Sequence, residues 1–99
     1  MPQPAEAGSP LASLLEQVAQ AIESRRGDDA ITRLLQDAHA ACRDATKHAT
    51  GEPKMHLTNF LQALDTWHRL WLQMGARPEF RQAVAREAHA WANRVRALT

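Results

Sequence analysis

The sequence predicts an all-α protein, an antiparallel up-down-up-down four-helix bundle preceded by a short flexible N-terminal tail. Apolar residues recur at helical spacing through most of the chain, and no segment alternates apolar and polar residues as a half-buried strand does. Proline and glycine also punctuate the chain in a regular order. Proline favours the first position of a helix and glycine the position after its end. Three prolines open apolar-periodic segments and three glycines close them: Pro10, Pro53 and Pro78, and Gly27, Gly51 and Gly75.

The first two helices are predicted at residues 10–26 and 28–50, with Ser9 and Asp28 as their N-caps. The first helix has a narrow apolar stripe made of Leu11, Leu14, Leu15, Val18 and Ile22. The second half of the second helix carries small side chains on its packing face, which allows a neighbouring helix to approach closely. Its predicted packing face consists of Ile31, Leu34, Leu35, Ala38, Ala41, Cys42, Ala45 and Ala49.

The third and fourth helices are predicted at residues 53–74 and 78–98. Connections of a few residues favour antiparallel neighbours, which gives the up-down-up-down order. Residues 9–99 are therefore expected to form one domain, and the aperiodic residues 1–8 a flexible tail. The predicted packing face of the fourth helix consists of Phe80, Val84, Ala88, Trp91, Val95 and Leu98.

Composition sets limits on the class of protein. A length of 99 residues and a hydrophobic content of 44% suit a single globular domain with its own core. A net charge of +1 argues against strong polyanion binding by the molecule as a whole. The single cysteine, Cys42, cannot form an intramolecular disulfide. With no secretory signal or membrane-length apolar segment, we expect a cytoplasmic protein, and the excess of arginine over lysine suggests a bacterial one.

The third helix carries more apolar residues than one buried stripe needs. Its apolar arc covers about 200°, twice the usual width for a helix on the surface of a globular protein. Either the bundle covers the whole arc, or one flank remains outside the core and binds another protein. Tryptophan and methionine are enriched at such interfaces. The predicted partner-binding flank consists of Ala63, Trp67, Leu70 and Met74, and a homodimer is its simplest form.

The fourth helix is the most basic part of the chain, with five arginines against two glutamates over residues 76–99. These arginines have no acidic partner one turn away in their own helix, unlike most basic residues elsewhere. They either pair with acids of neighbouring helices or contact nucleic-acid phosphates. The residues predicted for this alternative are Arg81, Arg86, His89, Arg94 and Arg96. No motif of a known nucleic-acid-binding fold supports it.

A few residues with possible chemical roles are expected to be structural. Antiparallel packing of the second and third helices predicts a contact between His39 and Asp65. With Cys42 and His68 these residues could form a mixed zinc site, but a histidine satisfied by a neighbour is the preferred interpretation, so no metal is predicted. Cys42 lies mid-helix on a packing face and is expected to be a core residue. No catalytic motif occurs, so neither an enzyme nor a cofactor is expected.

These features predict a small, non-enzymatic protein-interaction module that docks through the apolar flank of its third helix. Adaptors, chaperones, antiactivators and assembly subunits fit this description. The alternative is a helical subunit that contacts the nucleic-acid backbone through the fourth helix. No membrane association is expected.

Overall fold

The computed structural model describes residues 9–98, and within that range the protein consists of four α-helices and no strand. The predicted all-α class with four helices is confirmed. The expected tail at residues 1–8 lies outside the described residues. No helix of the described range is long and apolar enough to cross a membrane. The helices are α1 (Ser9–Glu23), α2 (Asp28–His48), α3 (Gly51–Met74) and α4 (Pro78–Leu98).

The first helix ends earlier than predicted, and an arginine rather than Gly27 terminates it. The backbone of Arg25 lies in the left-handed region, with φ 57°. The Arg25 N–H donates to the carbonyl of Ile22 at 3.1 Å, and the Arg26 N–H donates to that of Ala21 at 2.9 Å. These two hydrogen bonds form a Schellman motif, in which the left-handed residue is usually glycine. Gly27 is instead the N-cap of α2, a role that was predicted for Asp28.

Gly51 also has a different role from the predicted one. Helix α2 ends at His48, and Gly51 is the first residue of α3. Its φ of 67° is a backbone conformation that residues with a Cβ rarely adopt. Glycine is therefore required here by the turn between the two helices, although it does not terminate α2.

The core is centred on α1, which packs against both α2 and α4. The contact between α1 and α4 is the most extensive in the molecule, and that between α2 and α3 comes next. Alanines on both α1 and α4 allow the close approach, because small side chains let the helix backbones come together. The completely buried side chains include Leu11, Leu15, Val18, Ile31, Leu35, Phe60, Leu64, Val84 and Val95. Burial of each larger aliphatic side chain contributes about 1.5–3 kcal/mol.

The boundary between α3 and α4 is the most open of the four, because large rings separate the two helices. Their backbones approach closely at far fewer points than those of the other neighbouring helices. Aromatic side chains fill the space, and we call this group the aromatic seam: Phe60, Trp67, Trp71, Phe80 and Trp91. Phe60 and Trp71 are buried, whereas the other three are half-buried. Trp91, which was predicted as a core residue, therefore lies at the edge of the core.

Candidate docking surface

The predicted partner-binding flank is divided between core packing and the surface. Its four members, Ala63, Trp67, Leu70 and Met74, are all half-buried. Ala63 and Trp67 pack against the buried core, but Leu70 and Met74 are not among the residues that do so. The indole of Trp67 meets the ring of Phe60 edge-on, with centroids 5.7 Å apart and an interplanar angle of 80°. Trp67 is thus held in place on one side while part of its surface remains accessible.

A second tryptophan reaches the surface beside this flank. The ring of Trp91 on α4 stacks on Phe60, with centroids 4.2 Å apart and an interplanar angle of 18°. The guanidinium carbon of Arg94 lies 5.0 Å from the centroid of Trp91, within the range of a cation–π contact. Phe60 therefore contacts both half-buried tryptophans, and the two helices present a joint aromatic surface.

Sequence reasoning missed the two most exposed large apolar side chains. Leu72 is 70% exposed and Met55 is 57% exposed. Both are on α3, but at 3.6 residues per turn Leu72 faces away from the partner-binding flank. The width of the apolar arc signals that some α3 residues exceed the capacity of the core. It does not show which ones, because that depends on where α2 and α4 cover the helix.

The basic residues of α4 pair mainly with acids of the neighbouring helices. Arg81 contacts Asp28 at 3.1 Å, His89 contacts Glu23 at 3.4 Å, and Arg96 contacts Glu16 at 2.8 Å. The hydrogen bond from Arg96 lowers the pKa of the Glu16 carboxyl, and the same contact raises the pKa of Arg96. Arg94 contacts the ring of Trp91. Of the five residues predicted to contact nucleic acid, only Arg86 therefore has no side-chain partner among the described residues.

Arg81 contacts three different groups at once. Besides its contact with Asp28, Nη1 donates to the carbonyl of Gly75 at 2.7 Å. The guanidinium carbon also lies 5.0 Å from the ring centroid of Trp71. The Trp71 side chain is 3% exposed, and its indole N–H has no hydrogen-bond partner among the described residues. Arg81 therefore links the end of α3 to the beginnings of α2 and α4.

The predicted contact between His39 and Asp65 is wrong. Asp65 pairs with Arg69 at 3.4 Å, one turn along the same helix, and His39 Nδ1 lies 3.4 Å from the Arg43 guanidinium. Each side chain finds a partner on its own helix instead of bridging to the neighbouring one. Among residues 9–98, no three histidine, cysteine, aspartate or glutamate side chains are grouped so that they could hold a metal ion. The structure thus does not assemble the mixed set of His39, Cys42, Asp65 and His68.

Cys42 is completely buried between α2 and α3. Its thiol donates a weak hydrogen bond to the carbonyl of Leu57 at 3.5 Å. Burial raises the pKa of the thiol to about 11, against an opposing effect of the Thr46 hydroxyl. Because the thiolate is the nucleophilic form of cysteine, this residue is protonated and unreactive at neutral pH.

Comparison with known proteins adds no relative: no protein-family model, curated protein or solved structure matches the chain. The functional assignment therefore depends on the geometry of the chain itself.

Proposed function

We propose that this protein is a non-enzymatic interaction module that docks through the flank of α3 formed by Ala63, Trp67, Leu70 and Met74. The observation with most weight is that Leu70 and Met74 do not pack on the core and lie beside a half-buried Trp67. Complete burial of side chains of this size is worth up to about 1.5–3 kcal/mol each. Tryptophan held rigidly at the centre of an apolar surface is a frequent anchor of protein interfaces.

The partner that this flank fits best is a second copy of the chain. On α3, the positions that border the flank on its solvent side are occupied by Asn59, Gln62, Thr66 and Gln73, which carry no charge. The nearest acidic group on the same face is Glu52, which pairs with His56 two turns before Ala63. A twofold contact places equivalent surfaces opposite each other, so a charged surface would repel its own copy. The uncharged flank avoids this repulsion and is also typical of the centre of an interface, where charged residues are depleted. The other form of this function is docking of the same flank onto a different protein, as an adaptor or as a subunit of an assembly.

We further infer that the helices alternate in direction, as the up-down-up-down order requires. Support comes from pairs of contacts that reverse the order of residues between two helices. On α3, Phe60 comes before Trp71. On α4, the ring that contacts Phe60 is Trp91, and it comes after Phe80, the ring that contacts Trp71. The two ion pairs between α1 and α4 are reversed in the same way. In such a bundle the flank of α3 extends along the open boundary with α4.

Contact with the nucleic-acid backbone is less well supported. Of the five basic residues of α4 that would carry it, three form ion pairs with acids and one stacks on an indole. Phosphate binding would have to break these contacts, which leaves Arg86 as the only member that is available without rearrangement.

Measurement of molecular mass in solution against protein concentration tests the docking proposal. We expect a dimer that dissociates on dilution, and we expect Leu70→Arg to shift the midpoint of dissociation to higher concentration by at least tenfold. The matched control is Leu72→Arg, which places the same charge two residues away, on a more exposed position that faces elsewhere. Circular dichroism of both variants should show unchanged helix content.

Three results would contradict self-docking. A wild-type protein that stays monomeric up to millimolar concentration has no dimer interface of useful affinity. An equal shift in the two arginine variants would show that the contact is not specific to the flank. A shift only in Leu72→Arg would place the interface on the opposite side of α3.

A further inference from the structure

A groove of about 780 Å³ lies where α1 ends and α4 begins, away from the flank of α3. Its volume is within the range of sites that bind small molecules. Part of its lining is apolar and consists of Ile22, Ala76, Pro78 and Ala85. The groove can therefore cover the hydrocarbon portion of a ligand as well as its polar groups.

The rest of the lining is rich in basic side chains. Arg25, Arg81, Arg86 and His89 face a single acid, Glu23. Glu23 is paired with His89, and Arg81 is engaged by Asp28 and the carbonyl of Gly75. Neither Arg25 nor Arg86 has a side-chain hydrogen bond or ion pair with any residue in the described range. Two guanidinium groups are thus available in one groove without a matching acid.

The backbone conformation of Arg25 is a second, independent sign that this side chain has a role. The position adopts φ 57° and completes the Schellman motif of α1, where glycine is preferred for steric reasons. An arginine occupies this position although a left-handed backbone is strained for a residue with a Cβ. Strained residues of this kind are concentrated at ligand-binding sites.

We propose that the groove binds a small organic anion, an apolar body that carries a carboxylate or a phosphate. The guanidinium groups of Arg25 and Arg86 hold the anionic group, since the planar donor fork of arginine matches the oxygens of both. The apolar body lies against Ile22 and Ala85. An extended nucleic-acid backbone fits less well, because it would present several phosphates to a groove with two available cations and would leave the apolar lining uncovered.

The test is a titration with octyl phosphate and with octanoate, followed by amide chemical shifts and by calorimetry. We expect the largest shifts at the amides of Gln82, Ala85 and Ala76, which line the groove. Inorganic phosphate lacks the apolar body and 1-octanol lacks the charge, so each is expected to bind at least tenfold more weakly. Comparison of the two anionic probes shows whether phosphate or carboxylate is preferred.

The variants Arg25→Gly and Arg86→Gln are each expected to weaken binding of the better anionic probe by about tenfold or more. Loss of folding cannot explain a loss in Arg25→Gly, because glycine is favoured at that backbone conformation. Arg33→Gln, on exposed α2 surface outside the groove, removes the same charge and is expected to bind like the wild type.

Several results would overturn the anion site. Equal binding of 1-octanol and octyl phosphate would show that charge is not recognised, and equal loss in Arg33→Gln would show only a general charge effect. Shifts confined to Ala63 and Leu70 on α3 would mean that the probes occupy the docking flank. Absence of binding by both anionic probes would exclude the site. Failure of the anion site leaves the self-docking proposal standing, because the mass measurements test self-docking separately.

Discussion

Arg25 is the residue at which the local conformation is least suited to its side chain. A left-handed backbone brings Cβ close to the following carbonyl oxygen and costs about 1–2 kcal/mol. The sequence offers Gly27 two residues later, and the apolar periodicity alone cannot decide between the two positions. Ile22 lies at the end of the stripe that packs on the core, and α1 ends one residue later, at Glu23. The chain turns there, which places Arg25 in the left-handed position.

Replacement of Arg25 by glycine is expected to stabilise the fold by about 0.5–1 kcal/mol. Relief of the left-handed strain exceeds the extra flexibility that glycine gives the unfolded chain. The midpoint of urea denaturation measures the effect. Arg26→Gly is the matched control, because Arg26 does not have a positive φ, and it should be neutral or destabilising. Equal gains in both variants would mean that the strain is absent.

Cys42 gives the fold a dependence on pH in the alkaline range. Its pKa in the folded protein, about 11, is above the ordinary value of 9.0. The folded state therefore holds the thiol proton more tightly than the unfolded state does. This contribution to stability is complete below pH 9 and is lost as the pH rises towards 11.

We expect the free energy of unfolding to fall between pH 9 and 11 more steeply in the wild type than in Cys42→Ala. Denaturant titrations at each pH measure both slopes, and the comparison removes the effect of other alkaline titrations. If the free energy of unfolding falls equally steeply with pH in both proteins, the thiol has the same pKa in the folded and unfolded states. A thiol reagent supplies a second check at neutral pH, where modification of the wild type should proceed only as fast as the protein opens.

At the scale of the helix, the number, order and approximate length of the elements could be predicted, because apolar period and proline position are local signals. The division of α3 into buried and exposed parts could not. Its buried residues, Leu57, Phe60, Leu64 and Trp71, form a stripe much narrower than the apolar arc. Which of the remaining apolar residues are half-covered depends on the distance of α4. That distance is set by ring stacking between residues far apart in sequence.

The two tryptophans of α3 are expected to differ in their effect on folding. Trp71→Ala removes a side chain that is 3% exposed and should cost about 3–5 kcal/mol. Trp67→Ala removes a half-buried ring with one aromatic contact and should cost less than half as much. Urea denaturation of the two variants, with Leu72→Ala as a control near zero, measures the difference. Equal losses would mean that Trp67 belongs to the core and is not available to a partner.

At the scale of the whole molecule, the candidate sites depend on contacts between helices that no local pattern specifies. The small packing face of α2 and the basic character of α4 are visible in the sequence. The groove is not, because its lining comes from the end of α1, the connection after α3 and the face of α4. The predicted contact between His39 and Asp65 is wrong because each of these side chains has a partner one turn away on its own helix.

Arg81 joins α4 to the beginning of α2 and to the end of α3, and the shape of its side chain matters as well as the charge. Arg81→Lys keeps the charge but cannot contact Asp28, the carbonyl of Gly75 and the face of Trp71 at once. We expect a loss of about 1–2 kcal/mol in the free energy of unfolding. Arg77→Lys, at an exposed position on the same connection, is the control and should change little. A tolerated Arg81→Lys would show that only the charge is needed.

The extensive contact of α1 with α4 has a consequence for biosynthesis. Helix α1 leaves the ribosome first of the four, but the face that α4 covers has no cover until the fourth helix has been made. Nascent chains that stop after α3 would leave that face of α1 exposed and would be prone to aggregation and proteolysis. The two helices that form the most extensive contact, α1 and α4, are also far apart in the sequence. The protein should therefore fold more slowly than a bundle in which consecutive helices form the most extensive contact. Chaperone binding to nascent chains should therefore end only when α4 is released.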